Sequence, residues 1–123
     1  MDSERKAIET VIQTYFDGLY EADADKLNSI FLPSSALAEV RDSQVHVTPR
    51  DVWLDAVRKR TSAKSQGHER GDKILTIDVT GPSMAYVKVN CQLPPRYFTD
   101  QLSLLKVDGQ WKIAQKIFQT TVR

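Results

Sequence analysis

The chain has 123 residues, 41% of them hydrophobic and 27% charged, and its 17 basic and 16 acidic side chains leave a net charge of +1. That length and usage suit a single domain over residues 1–123 with one sizeable core, and they argue against disorder. No basic stripe tracks a phosphate backbone and no apolar run approaches membrane-spanning length, so neither nucleic acid nor a membrane is an expected partner.

The opening Met1-Asp2-Ser3-Glu4-Arg5-Lys6 leads into an amphipathic pattern, which is not the apolar core of a signal peptide. Ile8, Val11, Ile12, Tyr15, Phe16, Leu19 and Tyr20 recur at helical spacing and predict one long helix over about residues 3 to 22. Asp23 can cap a second, shorter helix that carries Leu27, Ile30 and Phe31 and ends at Pro33. A hairpin follows, with Ala38, Val40, Val45 and Val47 on one apolar face and Asp42-Ser43 as its turn. Thr48 as N-cap, Pro49 in the first turn and Asp51 near the free amides mark a third helix. Its buried stripe is expected at Val52, Trp53, Ala56 and Val57.

Residues 61–72 show no apolar period and contain two glycines, which reads as a mobile loop or the frayed start of a strand. Four strands complete the chain: Lys73 to Thr80, Met84 to Leu93, Arg96 to Val107 and Gln110 to Thr121. Asp108-Gly109 between the last two is a strong hairpin turn. Three helices, a hairpin and a meander make an α+β order. A twisted antiparallel sheet wrapped around the first helix gives a cone with an apolar interior.

A two-residue turn at Asp108-Gly109 sets the last register, pairing Leu104 with Ile113, Leu102 with Gln115 and Asp100 with Ile117. One face then collects Phe98, Asp100, Leu102, Leu104, Trp111, Ile113, Gln115 and Ile117 and looks toward the helices. Asp100 is the outlier, a carboxylate among large apolar side chains, and such a group needs a hydrogen-bond partner or a use. Gln115 is its diagonal neighbour, and a bulge in the last strand would put Lys116 there instead. The outer face, with Tyr86 and Lys88 among small polar residues, suits either water or a sheet-to-sheet dimer.

The segments Tyr15-Phe16-Asp17-Gly18-Leu19-Tyr20 and Phe31-Leu32-Pro33 resemble the nuclear transport factor 2-like superfamily. The run from Phe98 through Val107 and on to Ile113 is similar to its putative lumazine-binding group. The Pro49-to-Leu54 helix start and Ile77-Asp78-Val79 fit the same group. The resemblance covers nearly the whole chain and implies a conical fold with a cavity between sheet and helices, and commonly a homodimer. It implies no single activity, because the superfamily holds isomerases, dehydratases, hydrolases, cyclases and transport factors. Many relatives carry a histidine between the phenylalanine and proline of the Phe31-Leu32-Pro33 segment, where Leu32 stands here, so no acid–base histidine is carried over.

Asp100 is therefore the candidate ligand-binding or catalytic residue, with Gln115, Tyr15, Trp53 and Phe98 as further pocket candidates. For each of them packing is the competing role: a buried carboxylate satisfied by Tyr15 or Gln115, or aromatic core. Desolvation in an apolar cavity would favour the neutral acid, the form that a ketosteroid isomerase uses to donate to an oxyanion. Cys91, the single cysteine, forms no internal disulfide, reads as a small core side chain and fits a reducing cytoplasm. His46 and His68 read as solvated, and with so few soft ligands no metal or cofactor is expected. Three readings follow: a domain binding a small apolar or aromatic ligand, a cavity enzyme of isomerase or lyase type, or a dimerisation module with a filled interior. Room of about 300 Å³ would separate the first two from the third.

Overall fold

The computed structural model describes residues 2–123. Helix α1 spans Asp2–Glu21 and α2 spans Ala24–Asn28; β1 (Ala36–Arg41) and β2 (Gln44–Pro49) form the hairpin before α3 (Arg50–Lys59). Strands β3 (Lys73–Thr80), β4 (Met84–Leu93), β5 (Arg96–Val107) and β6 (Gln110–Val122) follow. All six strands join one sheet in the order β2-β1-β6-β5-β4-β3. The architecture is the expected α+β cone, with one difference: β1 runs parallel to β6, so the sheet is mixed rather than wholly antiparallel. The chain returns from α2 to the sheet beside Ile113, where Leu32 N–H donates to Ile113 O and Ile113 N–H to Ile30 O, and this sets the direction of β1.

The inward stripe of α1, Ile8, Ile12, Tyr15, Phe16 and Leu19, packs on the concave face of the sheet. Asp23 caps α2 by accepting from Lys26 N–H at 3.1 Å. The helix ends at Asn28, well before Pro33, because Ile30 and Phe31 already belong to the sheet edge. Gly18 lets α2 approach α1: a Cβ there would stand 2.7 Å from Leu27 Cδ2.

The third helix starts one residue later than its cap signal. Thr48 pairs with Leu37 inside the hairpin, Pro49 is the N-cap without a side-chain bond, and Arg50 N–H donates to Ser35 O. The buried stripe of α3 also differs from the expected one: Leu54 and Val57 are the buried residues, Trp53 is half-buried, and Val52 and Ala56 face out. The 61–72 loop is pinned rather than free. Arg70 pairs with Asp17 at 2.8 Å and Asp72 at 2.7 Å, Tyr20 Oη donates to His68 O, and Ala63 is buried.

Burial along the inward positions of β5 describes the cone. Arg96 is exposed, Phe98 is half-buried, and Asp100, Leu102 and Leu104 are fully buried. On β6 the order is mirrored, from buried Trp111, Ile113 and Lys116 to half-buried Phe118. The narrow end is closed by hydrocarbon and the Arg96 end is the mouth.

Candidate functional site at Asp100

Position along the cone puts Asp100 at the boundary between packed apex and mouth, with none of its surface exposed. Its Oδ2 accepts from Tyr15 Oη at 2.5 Å and from Cys91 Sγ at 3.4 Å. Lys116 Nζ lies 3.9 Å from the same oxygen, an ion pair without a hydrogen bond. Oδ1 is buried and has no hydrogen-bond partner among the described residues. One oxygen is thus surrounded by donors and the other is an open acceptor, a costly state for a buried carboxylate.

Lys116 rather than Gln115 occupies the diagonal position, which corrects the simple register. Leu104 pairs with Ile113 as expected, but Ser103 pairs with Gln115, leaving Ala114 as the extra residue of a bulge. Beyond it the alternation inverts: Leu102 pairs with Lys116 and Asp100 with Phe118. Gln115 and Ile117 consequently face outward, and Ile117 is 57% exposed. Nothing in a two-residue turn announces the bulge; a buried acid opposite a lysine one residue away was the available sign.

The Lys116 ammonium is ringed by aromatic faces, 5.2 Å from the Tyr15 centroid and 4.9 Å from those of Trp53 and Phe118. These quadrupoles offset part of its desolvation. Phe98 stands edge-on to Phe118 at 6.2 Å, and Phe31 links Tyr15 and Trp53 with centroids at 5.9 and 5.1 Å. Of the residues singled out from the sequence, Tyr15, Trp53, Phe98 and Asp100 therefore converge, and Gln115 does not. Burial, followed by the charge of Asp100, pushes the Tyr15 hydroxyl well above its ordinary range and holds it as a donor. The same two causes, in that order, push the Cys91 thiol up and hold it protonated.

The space in front of Oδ2 is taken by Tyr15, Cys91 and Lys116. An open groove of about 400 Å³ lies elsewhere, lined by Glu21, Asp23, Asp25 and Arg58 among others. A smaller recess of about 40 Å³ lies at the mouth, lined by Arg60, Thr61, Ala63, Gln66, His68, Leu93, Pro94 and Arg96. Neither is lined by Asp100, so neither supplies the room of about 300 Å³ expected in front of it, and a ligand reaching Asp100 has to displace side chains that pack there.

The family model described as "Putative lumazine-binding" matches residues 3–119. The chain belongs to this family. Among solved structures it is similar to a nuclear transport factor 2-like protein of unknown function from Shewanella baltica, with 25% identity, a TM-score of 0.88, and coverage of 100% of this chain and 98% of that one. A second protein of that fold and of unknown function, from Silicibacter pomeroyi, gives 20% identity and a TM-score of 0.86 over 98% and 99% of the two chains. A ketosteroid isomerase-like protein from Erwinia carotovora gives 15% and 0.77 over the full length of both. The search of curated proteins gives no match. These likenesses establish the nuclear transport factor 2-like fold. No helix among the described residues is long and apolar enough to cross a membrane.

Proposed function

We propose that the chain, as one domain over residues 1–123, binds a small aromatic ligand whose ring enters at the mouth and whose N–H donates to Asp100 Oδ1. The observation that carries this reading is the orphaned Oδ1, a fully buried acceptor at the inner end of an aromatic-lined mouth. Trp53, Phe98 and Phe118 are half-buried there, so their rings can shift to admit a flat molecule without opening the packed apex. The family description names lumazine, an aromatic heterocycle with ring N–H donors, and that chemistry suits an acceptor flanked by π faces.

A thermal-shift titration with lumazine tests the reading. Stabilisation of the native protein that grows with concentration is the expected result, with loss of the response in Asp100→Asn. An unchanged response in that variant would sink it.

Acid–base catalysis of isomerase or lyase type is the second reading, and one observation favours it: Lys116 supplies a second titratable group beside Asp100. Deuterium uptake at a ligand carbon, followed by NMR in heavy water and lost in Lys116→Met, would select it over binding alone.

We also infer a cytoplasmic homodimer. The single thiol suits a reducing compartment. The outer sheet face carries Val40, Val45, Val47 and Ile117, 71%, 72%, 62% and 57% exposed. They adjoin through the Val40–Val45, Ala38–Val47 and Ala38–Ile117 pairs, and a patch of this kind favours a partner sheet.

A further inference from the structure

The mouth recess is lined by two cations, Arg60 and Arg96. Arg60 is half-buried, and its Nη2 donates to Leu19 O at 3.0 Å, which ties its guanidinium to the end of α1. Arg96 sits across the recess at the start of β5, with its guanidinium 6.0 Å from the Phe98 centroid. Among the described residues, the arginines held in ion pairs are Arg41, Arg50, Arg58 and Arg70. Among the described residues, neither Arg60 nor Arg96 has a carboxylate partner. Burial, and then the nearby charge of Arg96, pulls the Arg60 guanidinium below its ordinary range. Two like charges are therefore held toward a shared space, an arrangement that an anion relieves.

Size and position define the anion. The recess of about 40 Å³ holds about three water-sized groups at roughly 10–15 Å³ each, the scale of one carboxylate. Arg96, Phe98 and Asp100 share one face of β5. At roughly 3.3 Å per residue, the Cα atoms of Arg96 and Asp100 stand about 13 Å apart with Phe98 midway. A two-ring heterocycle with a carboxylate on its far edge spans that interval once both side chains reach inward.

The geometry points to Arg60 and Arg96 as a carboxylate-binding subsite, which makes the ligand an anionic heteroaromatic acid rather than a neutral heterocycle. This assignment rests on the interior reading of Asp100 and adds the charge of the ligand to it. Thr61 and His68 complete the rim and offer further polar contacts to a carboxylate.

Fluorescence titration with pterin-6-carboxylate and with uncharged pterin tests it. Charge-assisted hydrogen bonds are the stronger kind, so the acid is expected to bind at least about tenfold more tightly than pterin. Arg96→Met and Arg60→Met should each bring the affinity for the acid down to about that for pterin. Arg96 is exposed, so its variant keeps the test sound if loss of the Arg60–Leu19 bond weakens folding. Equal affinities of the wild-type protein for the two compounds would overturn the subsite while Asp100-dependent pterin binding kept the interior reading. Acid binding that needs both arginines but is indifferent to Asp100→Asn would overturn the interior reading alone. Failure of both compounds to bind would overturn both.

Discussion

Lys116 Nζ reaches to 3.9 Å from Asp100 Oδ2 although the two residues are not cross-strand partners, because the extrusion of Ala114 turns Lys116 inward diagonally opposite the acid. Both side chains are buried, so each is the main charge compensation of the other. Removing one member of such a pair strands the other, at a cost on the order of 3 kcal/mol. Lys116→Met should lower stability in urea by that order, and Lys116→Met with Asp100→Asn should recover much of it. A double-mutant cycle with additive losses would show that the two charges do not compensate each other.

Tyr15→Phe removes the 2.5 Å hydrogen bond and leaves Oδ2 with the weaker thiol donor. Hydrogen bonds to a charged partner contribute about 1.5–3 kcal/mol, and the loss should fall in that range at neutral pH. Equilibrium urea unfolding of the variant measures it.

Alkali should erode the stability of the protein with two breaks in slope. Cys91 and Tyr15 both have folded-state pKa values raised above their ordinary 9.0 and 10.0. The unfolded chain therefore loses these protons first, while the native state keeps them. Their contribution is complete below pH 9 and declines as pH rises, by about 1.4 kcal/mol per pH unit for each group that ionises only in the unfolded state. Urea midpoints from pH 8 to 11 should steepen above pH 9 and again above pH 10. Cys91→Ala should abolish the first break and Tyr15→Phe the second. Persistence of both breaks in the two variants would remove these groups as the cause.

The periodic parts of this fold were legible in the sequence, since the stripe of α1 and the alternation of β4 each repeat one rule over many residues. The burial of Asp100 was legible for the same reason, a carboxylate on an apolar period. What escaped depended on single residues acting through distant contacts. The bulge at Ala114, which the strand pattern allowed but did not fix, inverted the last strand, and the Ser35–Arg50 bond displaced the helix start from Thr48. Arg60 gave no local signal, because its meaning comes from Arg96, which follows at a distance in the chain and faces it only across the mouth.

The outer sheet face offers a prediction about assembly. Val47, Ala38, Ile117, Gln101 and Lys88 lie in one row across five strands, joined by direct cross-strand pairing. Charges placed at its apolar end, in Val47→Lys with Ile117→Lys, should repel across a two-fold contact without entering the core. Sedimentation equilibrium should show the wild-type chain as a dimer and this variant as a monomer with unchanged far-ultraviolet circular dichroism. A wild-type monomer at micromolar concentration would exclude the contact.

Gly18 decides how closely the first two helices pack, and two opposing effects can be weighed there. In a helix interior, alanine is favoured over glycine by roughly 0.5–1 kcal/mol, so Gly18→Ala would stabilise an open helix. Here the new Cβ would lie 2.7 Å from Leu27 Cδ2 and 2.8 Å from Leu27 Cγ. Leu27 is fully buried in the core, so its side chain cannot swing into solvent, and α2 must move instead. Overpacking of this kind costs about 1–3 kcal/mol, more than the propensity gain. Gly18→Ala should therefore be destabilising by about 1–2 kcal/mol in urea titration. Gly18→Ala combined with Leu27→Ala should relieve the clash and lose less than the sum of the single changes. A more stable Gly18→Ala protein would mean that α2 yields freely, and that the close approach of the two helices is not held by Leu27.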